Sequence, residues 1–387
     1  MKKAMVGIAL AAGLLGFSAS TPALAWDRGD VDIFAVVPNL MSGEPSSVEG
    51  LTVGPDGNIY VPSFGFNAHG AVSAPNSDLF VFSPNGHLIR HVTIQNSSAH
   101  ELGLAFSPVI PFERGSKSLI VCDFGAGKIL AVDPFTGESS VFMTASAAFP
   151  NPGFNGEAFD AQGNFYVSDS FQNIIWKTPP NGVGNNPGQI WVNNPLLGNG
   201  GGTLNPPFGA NGIEFNNAGN ILYVANTAFH DIIQIPLNSN GTAGTPSVLT
   251  TGINAPDGIV IDAHDNIWIA ANQEDEIVVV DPHAKSNVNG VSTVVPKVIA
   301  KLGDFQGIDD DGVAHGLLFP ASPAFSLDGK TLYVTDLELY LPFAGAPFSA
   351  IDSPYTLQVQ HFTVSKLKAV IPPLHADEDD NGNDDRN

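Results

Sequence analysis

Four oxygen-bearing side chains recur at matching places in the chain, each before a glycine and a short hydrophobic run. They are Glu49, Asn155, Asn211 and Asp257. Two carboxylates that meet in a narrow site repel each other and lose water, so they need a cation or a proton. Two carboxylate and two amide oxygens can together neutralise and ligate one divalent ion. We therefore predict that these four residues form a metal site.

The donor types indicate which metal and which chemistry the site would support. No His or Cys stands at these positions, and shells of oxygen alone suit calcium, magnesium or manganese better than zinc. Calcium (Ca²⁺) is the first expectation, with Mg²⁺, Mn²⁺ and Zn²⁺ as alternatives. The ion can polarise an ester carbonyl, Asp257 or a water can supply the base, and Asn155 can help to bind the developing oxyanion. The competing interpretation is that Asn-Gly and Asp-Gly are turn dipeptides, present for backbone reasons.

Six repeats can bring these residues to one axis. The matching positions, here named the register positions, are residues 49, 102, 155, 211, 257 and 321. Each interval holds short hydrophobic runs separated by turn residues, and the fifth shows four of them, at 258–261, 266–270, 276–281 and 297–302. This pattern predicts an all-β fold, a six-bladed β-propeller of four-stranded antiparallel blades. First strands line the channel of a propeller, so the register positions would meet at its mouth.

The N-terminal run is expected to complete the last blade. That repeat shows only three strands, which we predict at 323–326, 331–335 and 356–362. A fourth strand from 31–37 would close the ring and remove an exposed sheet edge. Long stretches between strands, at 64–76, 181–207, 303–318 and 337–354, are expected to form lids or walls around a site.

The two ends of the chain have the composition of processing and tail segments. Residues 1–25 are interpreted as a secretory signal peptide, since Lys2 and Lys3 precede an apolar run and Ala23-Leu24-Ala25 is a typical cleavage site. We expect a secreted or periplasmic protein that is cleaved after Ala25. The propeller is expected over 26–375 and an acidic disordered tail over 376–387. No later run approaches the roughly 20 apolar residues of a membrane-spanning helix.

The charge and the single cysteine limit the classes of partner. The formal net charge is −23, which disfavours nucleic acid and favours attraction of cations. Cys122 is the only cysteine, so no intrachain disulfide can form, and we expect it to be a small buried hydrophobe. The expected partner is a small-molecule substrate, and the oligomeric state stays open.

A few other polar residues stand near the register positions. His100 and Glu101 precede the second position and His315 precedes the sixth, so we expect them on the substrate side of the channel mouth. The alternative is a partly exposed loop histidine without a role. A carbon–oxygen lyase on a similar propeller would need such a histidine close to the ion. Asn272, which ends a second strand, is interpreted as a turn cap.

These motifs resemble the SMP-30/gluconolactonase family of six-bladed propellers, which includes calcium-dependent lactonases, and more distantly the paraoxonases. The resemblance covers 48–336 and is carried by Val48-Glu49-Gly50, Phe154-Asn155-Gly156, Ala210-Asn211-Gly212 and Pro256-Asp257-Gly258. It implies that Glu49, Asn211 and Asp257 ligate the metal and that Asn155 lies beside metal and substrate. The chain departs from the family at Gly156, where an aspartate is common, and it lacks a counterpart near Leu102 of the substrate-binding arginine.

The sequence as a whole favours one function and leaves a second one open. We expect an exported, metal-dependent hydrolase of a lactone or similar ester. The alternative is a non-catalytic binding or scaffold propeller with a structural metal ion, because one fold hosts many functions. A hydrolase needs an open polar pocket at the metal. A scaffold would plug the mouth with apolar side chains, and Leu102 and Ala321 are the candidates for such a plug.

Overall fold

The predicted six-bladed propeller is confirmed. The computed structural model describes residues 24–202, 207–288, 291–339, 353–371 and 375–376. These residues form six four-stranded antiparallel sheets, each arranged as one blade. The first strands of neighbouring blades contact each other all the way round, the sixth against the first included. The first strands therefore surround one central axis.

The blades are numbered here in chain order, and the strands of each run from the axis outward. Blades 1 to 3 contain Thr52–Val53, Ile59–Pro62, Asp78–Phe82 and Leu88–Thr93; Glu101–Phe106, Leu119–Asp123, Lys128–Val132 and Ser139–Thr144; and Phe154–Phe159, Phe165–Asp169, Ile174–Thr178 and Gln189–Asn193. Blades 4 to 6 contain Ala210–Phe215, Ile221–Asn226, Asp231–Pro236 and Ser247–Thr251; Pro256–Ile261, Ile267–Ala271, Glu276–Asp281 and Lys297–Leu302; and Pro320–Phe325, Thr331–Asp336, Thr363–Lys368 and Val31–Val36.

The N-terminal strand closes the ring, as the sequence predicted. Val31–Val36 pairs antiparallel with Thr363–Lys368 at the outer edge of blade 6. The predicted third strand of this blade, at 356–362, is wrong. A short helical turn, Ser353–Thr356, ends at the first residue of that range, and the strand begins only at Thr363.

The sequence pattern did not indicate the true third strand, because some of its buried side chains are polar. Thr363 and Ser365 are buried, although their sequence pattern is that of a surface strand. The hydroxyl of Thr363 donates to Glu338 Oε1 at 2.7 Å, and that of Ser365 donates to Asp336 Oδ2 at 2.5 Å. Burial of these polar groups is tolerated because each has a hydrogen-bond partner.

The core of the described residues is divided among six hydrophobic clusters, each lying between neighbouring blades. Trp176 and Trp268 are the largest fully buried side chains. Cys122 is fully buried within one cluster, which confirms its interpretation as a small hydrophobe. Burial of apolar area between sheets is the main force that holds the blades together.

Smaller elements lie outside the blades. They are the paired strands Leu24–Ala25 and His375–Ala376, Lys285–Val288 and Val291–Val294, and Phe305–Ile308 and Ala314–Gly316, with 3₁₀ turns at Pro195–Leu197 and Gly200–Gly202. Most of the predicted signal peptide and tail, and much of the 337–354 stretch, lie outside the described residues. No helix in the described ranges is long and apolar enough to cross a membrane.

Candidate functional site

The register positions lie in β-bulges at the start of the first strands. In blades 2 to 6 the strand pairing shifts across the register residue and the residue that follows it. In five blades that following residue is a glycine pressed against the next blade. A Cβ on Gly156 would lie 2.6 Å from the carbonyl oxygen of Asn211, and one on Gly212 would lie 2.5 Å from that of Asp257. These dipeptides are therefore parts of strands, and the interpretation as turn dipeptides is wrong.

Three of the four predicted metal-site residues line a single axial channel. Glu49, Asn155 and Asn211 face a cavity of about 170 Å³. Asp257 stands at the next register position, and its charge helps to raise the pKa of Glu49. All four side chains are buried. Residues from distant parts of the chain thus share one small volume at the start of the first strands.

Hydroxyl groups from the ends of the second strands hold the two amides. Asn155 Nδ2 donates to Ser170 Oγ at 3.3 Å, and Asn211 Nδ2 donates to Thr227 Oγ1 at 3.0 Å. The same hydroxyls donate to main-chain carbonyl oxygens at the start of the next blade, at 2.8 Å in each case. Since a protein acceptor occupies each amide nitrogen, the amide oxygens are the atoms suited to ligate a cation.

Two buried carboxylate oxygens of the site have no hydrogen-bond partner. They are Glu49 Oε2 and Asp257 Oδ1. The other Asp257 oxygen accepts from Asn272 Nδ2 at 3.1 Å, so Asn272 contacts the site directly and is more than a turn cap. A buried oxygen without a partner costs about 1–3 kcal/mol, and more when it is charged.

The pKa values of both carboxyl groups are displaced upward. Burial raises the pKa of Asp257 to about 7, although the neighbouring side-chain amides of Asn211 and Asn272 act in the opposite direction. Burial raises the pKa of Glu49 well above its usual range, and the charges of Asp257 and Glu157 add to the effect. The site therefore favours a proton or a cation beside these two groups.

Two further acids in the channel were missed by the sequence reasoning. Glu157 and Glu214 also line it. Burial raises the pKa of Glu157 to about 8 and that of Glu214 to about 7. The Cys122 thiol donates to Glu157 Oε2 at 3.5 Å. The available signal was an acid two or three residues after a register position, where the other first strands carry apolar residues or threonine.

His100 and His315 do not line the channel. The ring of His100 stacks on Phe66 with centroids 4.1 Å apart, and its Nδ1 lies 2.7 Å from the carbonyl oxygen of Phe64. His315 belongs to the hairpin Phe305–Ile308 and Ala314–Gly316, where its Nε2 lies 3.2 Å from Asp309 Oδ2. The structure therefore brings neither histidine into the channel.

Glu101 is fully buried and does not line the channel. Both of its carboxylate oxygens lack a hydrogen-bond partner. Burial raises its pKa well above the usual range, the charge of Asp123 raises it further, and Lys128 opposes both effects. The structure places this residue between blades, at a position where the other five blades carry apolar residues, namely Val48, Phe154, Ala210, Pro256 and Pro320.

Leu102 and Ala321 do not plug the channel. Both are buried, each in a hydrophobic cluster between blades, and neither lines the channel. The apolar register positions thus contribute to the core between the blades.

The residues present fit a single divalent cation. Two carboxylate oxygens without partners and two amides with occupied nitrogens form an oxygen-only set of donors, which suits a hard cation. Within the described residues no cluster of three or more His, Cys, Asp or Glu side chains is arranged to hold a metal. An ion here would therefore depend on the asparagine oxygens as well as on the two acids.

Sequence comparison identifies the family. Residues 107–301, half of the chain, match the SMP-30/gluconolactonase/LRE-like region. The chain belongs to the SMP-30/gluconolactonase family. This confirms the resemblance read from the register motifs, and it supports a lactonase-type hydrolase in general terms. No curated protein matches the chain in sequence.

Solved structures of the same architecture extend the comparison of the fold. A luciferin-regenerating enzyme is 14% identical, with a TM-score of 0.56 over 86% of this chain and 95% of its own. A putative gluconolactonase is 16% identical, with a TM-score of 0.55 over 91% and 96%. A calcium-binding protein, regucalcin from Agrobacterium tumefaciens, is 17% identical, with a TM-score of 0.53 over 88% and 98%. At such identities the likeness concerns the fold alone.

Proposed function

We propose that this SMP-30/gluconolactonase family protein is an exported, metal-dependent hydrolase of a lactone or similar ester. The observation that carries the proposal is the pair of buried, unpartnered oxygens, Glu49 Oε2 and Asp257 Oδ1, at the same register positions of their blades as Asn155 and Asn211, which line the channel with Glu49. Groups that are costly to bury without a partner are concentrated at functional sites. The burial of Leu102 and Ala321 away from the channel supports a hydrolase over a plugged scaffold.

The proposed metal is Ca²⁺, held by Glu49, Asn211 and Asp257 with Asn155 beside it. The oxygen-only donors support this choice, and so does the description of regucalcin, a protein of this fold, as calcium-binding. When bound, the cation would act as a Lewis acid toward the ester carbonyl.

The protein's own groups would position water and move its proton. Asp257 keeps one carboxylate oxygen without a protein partner, and an ionised carboxylate at this place can accept a proton from water. The water oxygen then bonds to the carbonyl carbon, the acyl C–O bond breaks, and the proton passes to the leaving oxygen to give a hydroxy acid. One N–H of Asn155 Nδ2 donates to Ser170, and its second N–H would help to stabilise the developing oxyanion.

The test combines metal analysis with turnover. Purified protein should contain about one Ca²⁺ per chain. It should also hydrolyse at least one member of a panel of lactones and aryl esters, and EDTA should abolish this activity until Ca²⁺ is restored. Turnover that survives both chelation and Asp257→Ala would overturn the proposal. Tight metal binding without turnover on any ester would favour the scaffold alternative.

Export is a separate part of the proposal and has its own test. The N-terminal 25 residues have the charge and apolar pattern of a signal peptide. Protein recovered from the periplasm or the medium should begin at Trp26 when its N-terminus is sequenced. A chain that keeps Met1 and stays in the cytosolic fraction would contradict export.

A further inference from the structure

In blades 3 to 5, the residue that follows the second strand contacts the side chain at the register position of its own blade. These residues, here named the support residues, are Ser170, Thr227 and Asn272. All three are buried, and the described lining of the channel includes none of them. Any effect that they have on a ligand in the channel therefore passes through the residues that they contact.

The hydroxyl proton of Thr227 is committed to the next blade. Its Oγ1 lies 2.8 Å from the carbonyl oxygen of Pro256, and two oxygens come this close only with a proton between them. A carbonyl has no proton to give, so the hydroxyl supplies its only one. It can then only accept from a second partner, and Asn211 Nδ2 donates to it at 3.0 Å. Thr227 thus holds the amide nitrogen of Asn211 and leaves the amide oxygen for the channel.

Ser170 repeats this arrangement in blade 3. Its hydroxyl donates to the carbonyl oxygen of Ala210 at 2.8 Å and accepts from Asn155 Nδ2 at 3.3 Å. The orientation of both register amides is therefore set by a hydroxyl whose proton is already used elsewhere.

Asn272 has the opposite chemistry, because its register residue is a carboxylate. Its Nδ2 donates to Asp257 Oδ2 at 3.1 Å and to the carbonyl oxygen of Pro320 at 3.4 Å. An acceptor thus lies beside each register amide and a donor beside the register carboxylate. The type of each support residue matches the register residue that it contacts.

The other three blades have no polar support residue. The corresponding places hold Phe64, Phe124 and Leu337. In blades 2 and 6 the register residues, Leu102 and Ala321, have no polar side chain to orient. In blade 1 the register residue is Glu49, and a carboxylate presents an oxygen in either orientation. Every register amide therefore has a support residue.

We propose that Ser170, Thr227 and Asn272 are positioning residues for the metal site, and that Thr227 selects the oxygen of Asn211 as a ligand. This inference rests on the proposed function. Each support residue also contacts a carbonyl oxygen at the start of the next blade, so the geometry of its register side chain depends on two blades at once. Partners that orient a ligand without touching the metal are worth about 10- to 100-fold in metal affinity.

The experiment measures the Ca²⁺ affinity of chelator-treated protein by calorimetric titration. Thr227→Val keeps the shape of the side chain but removes the hydroxyl, so the Asn211 amide can rotate. The affinity should fall roughly 10- to 100-fold. Thr227→Ser restores a hydroxyl and should recover most of the affinity. Urea unfolding of each variant shows that it is folded.

A second background separates amide orientation from packing. Asn211→Asp replaces the amide with a carboxylate, which presents an oxygen whichever way it turns. The affinity lost through Thr227→Val should be at least about fivefold smaller in this background than in wild type. An equal loss in both backgrounds would overturn the inference, because the hydroxyl would then act through packing.

A matched control tests the support residue of blade 3. Ser77 and Ser170 are both fully buried, and each donates its hydroxyl to a main-chain carbonyl oxygen at 2.8 Å, but the acceptor of Ser77 is Ser63 in the same blade. At saturating Ca²⁺, Ser170→Ala should lower turnover by about tenfold, through Asn155, whereas Ser77→Ala should not change it. Equal turnover in the two variants would overturn the role of Ser170 and leave the metal hydrolase standing. A wild-type protein that binds no Ca²⁺ would overturn the metal site and this inference together.

Discussion

The two ends of one strand in blade 5 carry aspartates in opposite surroundings. Asp262, just past the end of Pro256–Ile261, accepts hydrogen bonds from the backbone nitrogens of His264 and Asn266, from Asn266 Nδ2 at 2.8 Å and from Trp268 Nε1 at 3.0 Å. Asp257, at the start of the same strand, keeps one oxygen without a partner. Burial raises the pKa of Asp262, but its donors outweigh burial and lower the pKa overall. The pKa of Asp257 is raised to about 7.

The same contrast recurs in blade 3. At the far end Asp160 accepts from the backbone and side chain of Asn164 and from the Tyr166 hydroxyl at 3.0 Å. At the mouth the register residue is Asn155, which faces the channel. The far-end acids hold the turns of the blades, and their oxygens are satisfied by the protein. At the mouth, Glu49 and Asp257 each keep one buried oxygen without a partner, and we propose that these oxygens serve a ligand.

The largest expected effect comes from changing the mouth acid. Asp257→Asn keeps the shape of the side chain but removes one of the two charges that would neutralise a dication. We expect turnover to fall roughly 100- to 1,000-fold and Ca²⁺ affinity to fall by at least about tenfold. Calorimetric titration with Ca²⁺ and initial rates on the best ester measure the two effects. If this variant kept the wild-type Ca²⁺ affinity and turnover rate, Asp257 would have no more functional importance than the acids at the far end.

The pH dependence of stability should also originate at the mouth. Since the pKa of Asp257 is raised to about 7 in the folded chain, from an unfolded value of about 3.9, the folded state binds more protons between these values. The unfolding free energy of EDTA-treated protein should therefore fall as pH rises from about 4 to about 7. The raised pKa of Glu49 acts in the same direction. Stabilisation by Ca²⁺ should instead grow with pH, because the cation binds the ionised groups.

Urea unfolding of EDTA-treated protein across this pH range provides the measurement. Other buried acids also have raised pKa values, Glu157 among them, so the informative quantity is the difference between wild type and Asp257→Asn. In Asp257→Asn, the unfolding free energy should fall less than in wild type over the same pH range. A metal-free protein that gains stability from pH 5 to pH 7 would contradict the raised pKa values at the mouth.

The blades could be predicted from the sequence because each close contact between neighbouring first strands requires a glycine at the same place in the repeat. A glycine after the register residue is required wherever a Cβ would collide with the next blade, as at Gly156 and Gly212. That requirement leaves a repeated dipeptide, which fixed the start of the first strands and the four metal-site candidates. Strand Thr363–Lys368 was missed because buried hydroxyls, paired with acids from elsewhere in blade 6, replace the usual apolar residues.

The rest of the site depends on contacts that no local pattern encodes. Glu157 and Glu214 face the channel through the bulged first strands, and the bulges cannot be placed from alternation alone. Asn272 contacts Asp257 from another strand of the same blade.

A smaller effect is expected at the far end. Asp262→Asn replaces an acceptor of four hydrogen bonds with a side chain that can accept only some of them. The unfolding free energy should fall by about 1–3 kcal/mol, while Ca²⁺ affinity and turnover stay within about twofold of wild type. Urea unfolding and calcium titration of the same sample test both parts. Loss of calcium affinity without loss of stability would place a functional acid at the far end.

The smallest effect concerns Glu101, a buried acid that begins the first strand of blade 2 but does not line the channel. Its oxygens lack partners, and its pKa is raised well above the usual range by burial first and by Asp123 second. The folded state therefore holds a proton that the unfolded chain releases, so the cost of this residue grows as pH rises above about 4. An apolar residue, as in the other five blades, removes that cost.

Glu101→Met should accordingly raise the unfolding free energy at pH 8 by about 1–2 kcal/mol, with a smaller gain at pH 5. Glu101→Gln, which removes the charge but keeps a polar group, separates ionisation from polarity and should give an intermediate gain. Urea unfolding at the two pH values measures the effect, and turnover should not change. A variant with unaltered stability and reduced turnover would instead support the substrate-side role that the sequence suggested, and would extend the functional region from the mouth into the space between blades 1 and 2.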